Sequence, residues 1–181
     1  DPPGSAKFDY TNYYLKAETG DSNHISWKET IAPDISVGLD ASTMPHVLVR
    51  ESINPATGVA TFTLREGEWA DREVGNEETN PHPTFFDADA PLVLFKLGLF
   101  QNRLFFTSGE SVVMTRSGDF FNFYRETTQA ALETDPIDIF ADAPEIHYLA
   151  SHSSFDGDLV FFSNAGQFLI DGKKPVTRDN A

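Results

Sequence analysis

Residues 91–124, PLVLFKLGLFQNRLFFTSGESVVMTRSGDFFNFY, form the most apolar stretch of the chain. Three short apolar runs, at 92–95, 104–107 and 111–115, are followed by a fourth at 120–124, and Gly, Asn and Ser separate them. Runs of about four to six residues rich in Phe, Val and Leu, joined by tight turns, are typical of antiparallel strands and too short for helices. The stretch therefore predicts four consecutive strands of a meander.

A hairpin pattern occurs twice in the sequence. Residues 100–114 and 155–170 each contain an apolar strand, a Ser/Gly/Asn turn and a second apolar strand, about 55 residues apart with a one-residue slip at the turn. A period of about 50 residues is typical of propeller blades, and a ring needs about four of them. We therefore predict an all-β fold with very little helix, in which two blade-like units form part of a β-propeller or a sandwich that resembles one.

The remaining segments give a domain plan. Residues 1–9 are predicted to be a flexible lead-in, 10–67 a small antiparallel β subdomain, 68–90 an acidic, Pro-rich connector, 91–172 the two blade-like units, and 173–181 a tail. Within the subdomain we expect strands at 10–17, 25–30, 46–50 and 60–66, and a short helical turn at 40–44 that Pro45 ends. One or two further helical turns are predicted at 127–133.

The connector should be ordered although it cannot form regular structure. Its Asn-Pro-His-Pro block at 80–83 excludes both helix and sheet. We expect it to pack Trp69, Phe85 and Phe86 onto the sheets.

The formal net charge is −15, and it is unevenly distributed. Residues 66–89 contain eight acidic residues against Arg72 alone, and residues 133–145 contain five acidic residues and no base. Tight nucleic-acid binding needs clustered Lys or Arg, so this balance argues against it. A solvated acidic surface that keeps the protein soluble is the simplest interpretation.

The chain has no Cys, which excludes disulfides, thiolate metal sites and a Cys nucleophile within it. No apolar run approaches the roughly 20 residues needed to cross a bilayer, so no membrane insertion is expected from this segment. The start at Asp1, without Met, is consistent with a fragment of a longer protein or with a processed terminus.

Candidate chemical sites are weak. The His residues lack the spacing of a helical zinc motif. Carboxylate pairs like those of a glycosidase occur by chance in acidic loops. Ser108 and Ser111 flank a turn between two strands, whereas a nucleophile elbow lies between a strand and a helix. The aromatic residues could stack on sugars or bases, but core packing explains them more simply. The acidic pairs could bind calcium, but each offers too few ligands. No catalytic, cofactor or metal residue is predicted. The groups considered were His24, His46, His82, His147 and His152; Glu66 with Glu68 and Glu77 with Glu78; Phe120, Phe121 and Phe123; Asp135 with Asp138; and Asp156 with Asp158.

Several ordered motifs resemble one protein family. WADREVGNEETNPHPTF at 69–85, NRL at 102–104, SGESVVMTRSGDFFNF at 108–123 and TDPID at 134–138 are similar to the tail tubular protein B family, the tail nozzle proteins of short-tailed bacteriophages (podoviruses). Segments at 13–16, 27–30 and 43–50 extend the resemblance over about residues 13–170. Members of that family are several times longer, so the resemblance implies a fragment.

The resemblance implies a virion structural protein, made in the host bacterial cytoplasm, that forms part of the tail channel for genome ejection. It implies a homo-oligomeric ring, commonly a hexamer, that contacts other tail proteins such as the tube, adaptor and fibres. DNA would pass without specific binding. On this hypothesis some acids, with Glu73, Glu77 and Glu78 as candidates, face the channel.

A second hypothesis is an envelope polysaccharide- or peptidoglycan-binding module of a phage tail, with aromatic platforms and a possible hydrolytic carboxylate pair. The two differ in whether the acids line a lumen or converge with aromatics in a concave pocket. Obligate interfaces typically exceed about 2,000 Å². We therefore expect the isolated chain, without the rest of the protein, to be monomeric or weakly associated.

Overall fold

The computed structural model describes residues 13–20, 24–86 and 93–178. Within them the chain forms strands and no helix, and every strand pairing is antiparallel. The strands are β1 Tyr14–Thr19, β2 Ile25–Thr30, β3 Val47–Ile53, β4 Ala60–Arg65, β5 Leu94–Phe100, β6 Arg103–Ser108, β7 Ser111–Met114, β8 Ile137–Phe140, β9 Ser151–Phe155, β10 Asp158–Phe162 and β11 Gln167–Ile170.

These strands form four sheets. A four-stranded sheet has the order β5-β6-β7-β8, a three-stranded sheet has the order β11-β10-β9, and β1–β2 and β3–β4 are separate hairpins. The all-β, antiparallel prediction is therefore confirmed. The predicted N-terminal subdomain consists of two hairpins that do not share a sheet.

The two central strands of the four-stranded sheet, β6 and β7, are covered on both faces, which explains why their residues are almost continuously apolar. Phe105 pairs with Gly98 and Met114, and these three residues point to one face. Phe106 and Val113 form the next pair and point to the other face. Gly98 is required, because a Cβ there would lie 2.6 Å from the Phe105 ring.

One face of this sheet packs against the three-stranded sheet. Phe105 and Phe161 meet edge to face at 5.7 Å, and both are almost completely buried. The predicted tail contributes Val176, which is 2% exposed. The core cluster consists of Phe100, Phe105, Val112, Met114, Ile137, Leu149, Leu159, Phe161, Ile170 and Val176.

The other face is covered by the connector and by the turn at 41–44. Met44, Phe85, Phe106, Val113 and Phe123 form a second buried cluster, against which Trp69 and Phe86 pack. The ordered packing of the connector agrees with the expectation from its sequence.

The two predicted repeat units have the same strand register. Every residue pair between β9 and β10, and between β10 and β11, has a counterpart 55 residues earlier: Phe161–His152 corresponds to Phe106–Leu97, and Phe155–Asp158 to Phe100–Arg103. The counterpart of the last pair, Leu159–Ile170, is the hydrogen bond from Thr115 N to Leu104 O, 2.8 Å. The predicted one-residue slip is therefore wrong, because the offset is constant through the turn.

The turns that open the two units also match. Gln101-Asn102 before β6 and Asp156-Gly157 before β10 have positive φ at both positions. This is the type I′ geometry whose twist suits a two-residue hairpin.

Two local predictions are wrong. Residues 120–124 form turns instead of a strand, because Arg116 N bonds back to Asn122 O at 2.8 Å and the chain bends to insert Phe123 into the second cluster. The fourth strand of the meander is β8, which the sequence did not predict. Residues 127–133 contain no helical turn.

Two other predictions differ at their edges. The predicted strand at 10–17 begins at Tyr14 among the described residues, and its first residues, like Leu92 and the lead-in 1–9, lie outside them. The expected turn at 40–44 is present, with hydrogen bonds from Thr43 N to Asp40 O and from Met44 N to Ala41 O.

Candidate functional site

A buried arginine holds the acidic connector together and packs against the loop after β7. The Arg72 side chain is fully buried, and its Nη2 donates to Glu77 Oε1 at 2.9 Å and to His82 Nε2 at 2.7 Å. Its guanidinium carbon lies 5.6 Å from the centre of the Tyr124 ring. The one base of the acidic stretch therefore bonds within the fold instead of balancing charge at the surface.

The geometry fixes the protonation of His82. Arginine can only donate, so His82 Nε2 accepts, and Nδ1–H donates to Tyr124 Oη at 2.7 Å. Burial and the Arg72 charge lower the pKa of His82, while Glu77 opposes them. Burial also raises the pKa of Tyr124. The network consists of a neutral imidazole and a neutral phenol around one ion pair.

Two further arginines point inward. Arg103, 2% exposed, donates from Nη1 to Thr115 O and Asp135 O and from Nη2 to Glu133 O, at 2.6–2.8 Å. Burial lowers its pKa against the opposing charge of Asp135. These bonds fix the loop between β7 and β8 to the start of β6, and so determine where β8 begins.

Arg125 connects the same loop to the connector. Its Nε donates to Asp135 Oδ2 at 3.0 Å and its Nη1 to Thr79 O at 3.1 Å. Asn80, 1% exposed, accepts from Arg125 N and donates to Val74 O, both at 2.9 Å. The sequence did not mark Arg103 as structural, because its partners are backbone carbonyls 12–32 residues away along the chain.

The three acids predicted to face a channel have different environments. Glu73 and Glu78 are exposed, whereas Glu77 is the ion-pair partner of Arg72. Glu77 is therefore a structural residue that remains 54% exposed. Whether any of the three faces a channel stays a prediction.

The second acidic stretch is divided in the same way. Glu133, Asp142 and Glu145 are exposed, whereas Asp135 is buried beside Arg125. Asp138 accepts from Thr84 N and Thr84 Oγ1 at 2.7 Å, which joins β8 to the connector. Burial raises the pKa of Asp138 more than these hydrogen bonds lower it.

The other candidate residues have structural contacts. His147 contacts Ser163 Oγ at 2.8 Å, and His152 packs edge to face on Phe105. Ser108 Oγ donates to Val93 O, and Asp158 Oδ1 accepts from Gly172 N. Exposed positions are occupied by His24, Glu66, Glu68 and Asp156; Phe123 is buried, Phe121 packs on Trp69, and His46 contacts Met44 O.

Residues 13–20, 24–86 and 93–178 contain no group of three side chains placed to hold a metal ion. No helix in the same ranges is long and apolar enough to span a membrane.

The two N-terminal hairpins project apolar side chains into solvent. On β1–β2, Trp27 and Ile25 are each 66% exposed and share a face; on β3–β4, Leu48 and Leu64 are directly opposite and are also each 66% exposed. The base of β1–β2 is anchored by Glu29, whose carboxylate accepts hydrogen bonds from residues 127–129. These bonds outweigh burial and lower the Glu29 pKa. The donors are Thr127 Oγ1, Thr128 N, Thr128 Oγ1 and Gln129 Nε2.

The sequence of the connector and the meander, folded in this way, matches a known family. The model of the bacteriophage nozzle protein family matches residues 3–181. The chain belongs to this family. It is also 30% identical over 174 residues to the tail tubular protein gp12 of Escherichia phage T7, an alignment that covers 96% of this chain and 20% of that protein.

The nozzle family gives the chain its place in a bacteriophage tail, as the resemblance implied. The chain spans about a fifth of the length of the curated relative that it matches. The motifs that carry the resemblance include residues of the arginine network: residues 69–85 supply Arg72, Glu77 and His82, and residues 102–104 supply Arg103.

Proposed function

We propose that this chain forms part of the wall of the tail channel through which the phage genome is ejected. It acts by its shape, its assembly contacts and its negative charge, without catalysis. One observation carries the proposal: Arg72, Arg103 and Arg125 bind inside the fold, while Glu73 and Glu78 remain exposed. Three of the seven arginines are thus withdrawn from the surface of an already acidic chain.

Charge of this sign suits a passage for DNA. Each Lys or Arg contact with a phosphate would add a salt-dependent attraction and retain the genome. Carboxylates repel it, but at about 0.15 M salt the Debye length is about 8 Å, so only those close to the duplex have an effect. We infer that Glu73 and Glu78 face the lumen and that DNA passes without specific binding.

The exposed apolar hairpins support assembly as the second part of the proposal. Side chains such as Trp27 and Leu64 that are 66% exposed in one chain are typical of surfaces that other subunits cover. We propose that they contact neighbouring copies in a ring, commonly a hexamer in this family, or other tail proteins. The two repeat units are then consecutive blades of a propeller, which the shared register supports.

The polysaccharide-binding alternative has no specific support. A cavity of about 480 Å³ is lined by four acids and two arginines: Asp71, Glu73, Asp119, Glu126, Arg116 and Arg125. Its aromatic residue, Tyr124, is 1% exposed and offers no platform for a sugar ring. A carboxylate cluster without an exposed aromatic face is a weak carbohydrate site.

The proposal is tested by reversing charge in assembled particles. Phage carrying Glu73→Lys and Glu78→Lys should assemble normally but eject their genome more slowly, and the delay should grow as the salt concentration falls. Ejection from purified virions is measured as the rise in the signal of a DNA-binding dye, at several ionic strengths.

Asp142→Lys with Glu145→Lys is the matched control, because it makes the same change in net charge at exposed positions of the loop between β8 and β9, away from the two hairpins. It should leave the salt dependence unchanged. Equal ejection kinetics in the two double variants would assign Glu73 and Glu78 to a solubilising surface.

A further inference from the structure

The three-stranded sheet lacks one element that its counterpart has. In the first unit, β8 pairs along the outer edge of β7, from Ser111–Phe140 to Met114–Ile137. In the second unit, β11 occupies the place of β7, and no strand pairs with its outer edge among residues 13–20, 24–86 and 93–178.

The constant offset gives the place of the missing strand. Because every shared pair is displaced by 55 residues, the counterpart of Ile137–Phe140 falls at positions 192–195, beyond Ala181. We propose that a segment of the same protein at these positions adds to the edge of β11 as a fourth strand. In that register position 194 lies opposite Gln167, and position 192 lies opposite Leu169.

The face of the second unit that carries Leu169 and Phe162 is more open than the corresponding face of the first unit. Leu169 is 59% exposed, whereas its counterpart Met114 is fully buried. Phe162 is 37% exposed, and its counterpart Thr107 is also fully buried. The side chains of the second unit are thus apolar at positions that the first unit covers with other parts of the fold.

The edge itself is not protected. Free edge strands in natural proteins usually carry Lys or Pro, or a bulge, to prevent pairing. β11, Gln-Phe-Leu-Ile, has no charge and no Pro, and its pairing with β10 is regular. Such an edge is suited to receive a strand.

The same protein is a better source for this strand than a second copy. The T7 relative is about five times as long as the matched region, so a protein of that length has chain outside the matched region. A strand tethered a few tens of residues away has an effective concentration in the millimolar range, which favours it over a free partner. The segment after β11 is held on the core by Gln101, which donates to Gly172 O and Lys174 O and accepts from Val176 N at 2.7–2.8 Å.

The register is tested by disulfide trapping in the full-length protein, with its other cysteines replaced by Ser. Gln167→Cys is combined with Cys at position 194. Gln167 is exposed, and residues 1–181 contain no Cys. Directly opposed residues of antiparallel strands have Cα atoms about 4.5–5.5 Å apart, within the range for a disulfide. We expect loss of both free thiols, and a peptide cross-link within one chain by mass spectrometry.

Two matched pairs control the experiment. Val112→Cys with Ile139→Cys is the corresponding pair of the first unit and should form the same cross-link. Gln167→Cys with Cys at position 193 should not, because a one-residue shift turns the side chain to the opposite face. A cross-link between chains, or none at 194 while the first-unit pair reacts, would overturn the proposal. Neither result bears on the role of Glu73 and Glu78 in ejection.

Discussion

Replacing Glu77 by Ala should destabilise the protein although half of its side chain is in solvent. The substitution removes the carboxylate that contacts the fully buried Arg72 guanidinium at 2.9 Å. Breaking a buried pair typically costs about 3–5 kcal/mol, whereas an exposed pair contributes about 0–1 kcal/mol. Since Glu77 is 54% exposed, we expect an intermediate loss of about 2 kcal/mol in the free energy of unfolding.

The assay is thermal unfolding followed by circular dichroism. For a chain of this size, about 2 kcal/mol corresponds to a decrease in Tm of about 4–8 °C. Glu77→Gln keeps an acceptor without the charge and should lie between Ala and the native residue. The control is Glu78→Ala, because Glu78 is the exposed neighbour in the same turn. The reasoning fails if Glu77→Ala and Glu78→Ala have the same Tm.

Three other outcomes are expected. The folded pKa of His82 is below its usual 6.5, so the unfolded state binds more protons, and the free energy of unfolding should fall as the pH drops from about 6.5 through that lower value. When the free energy of unfolding from urea denaturation is plotted against pH, the slope should flatten in His82→Gln but not in the exposed His24→Gln. Arg103→Lys cannot reach all its carbonyls and should lower the free energy of unfolding by about 3 kcal/mol, whereas Arg65→Lys at an exposed position should not. Light scattering of residues 1–181 should give a monomer or weak association, and a stable ring would contradict this.

The parts of the fold that the sequence predicted are those with local signals. The hairpins at 100–114 and 155–170 have short apolar runs and turns that Asn or Gly can adopt with positive φ. Both signals act within about ten residues, and the pairing follows from them.

The errors have a different origin. Ile137–Phe140 has only four residues, and its partner β7 ends 23 residues earlier, so neither length nor a turn identifies it. Residues 120–124 are as apolar as a strand, but they fill a gap above the sheet, where Phe123 stacks on Trp69 with ring centres 5.6 Å apart. Apolar content alone cannot distinguish these two uses.

For the candidate site, the sequence located the acidic connector and its one base, Arg72, but did not predict that Arg72 is buried and paired with Glu77. An acid in a charged run has the same local pattern whether it is solvated or bound to a buried guanidinium. Glu77 and Glu78 are adjacent, and only the fold separates their roles.

The two repeat units use opposite charges at one position. Arg103 begins β6 and donates to carbonyls of the segment that follows β7, while its counterpart Asp158 begins β10 and accepts from Gly172 N in the segment that follows β11. A backbone offers both donors and acceptors, so a repeated unit can hold the segment that leaves its sheet with either polarity. The two units thus share one structural role at this position and perform it with opposite charges.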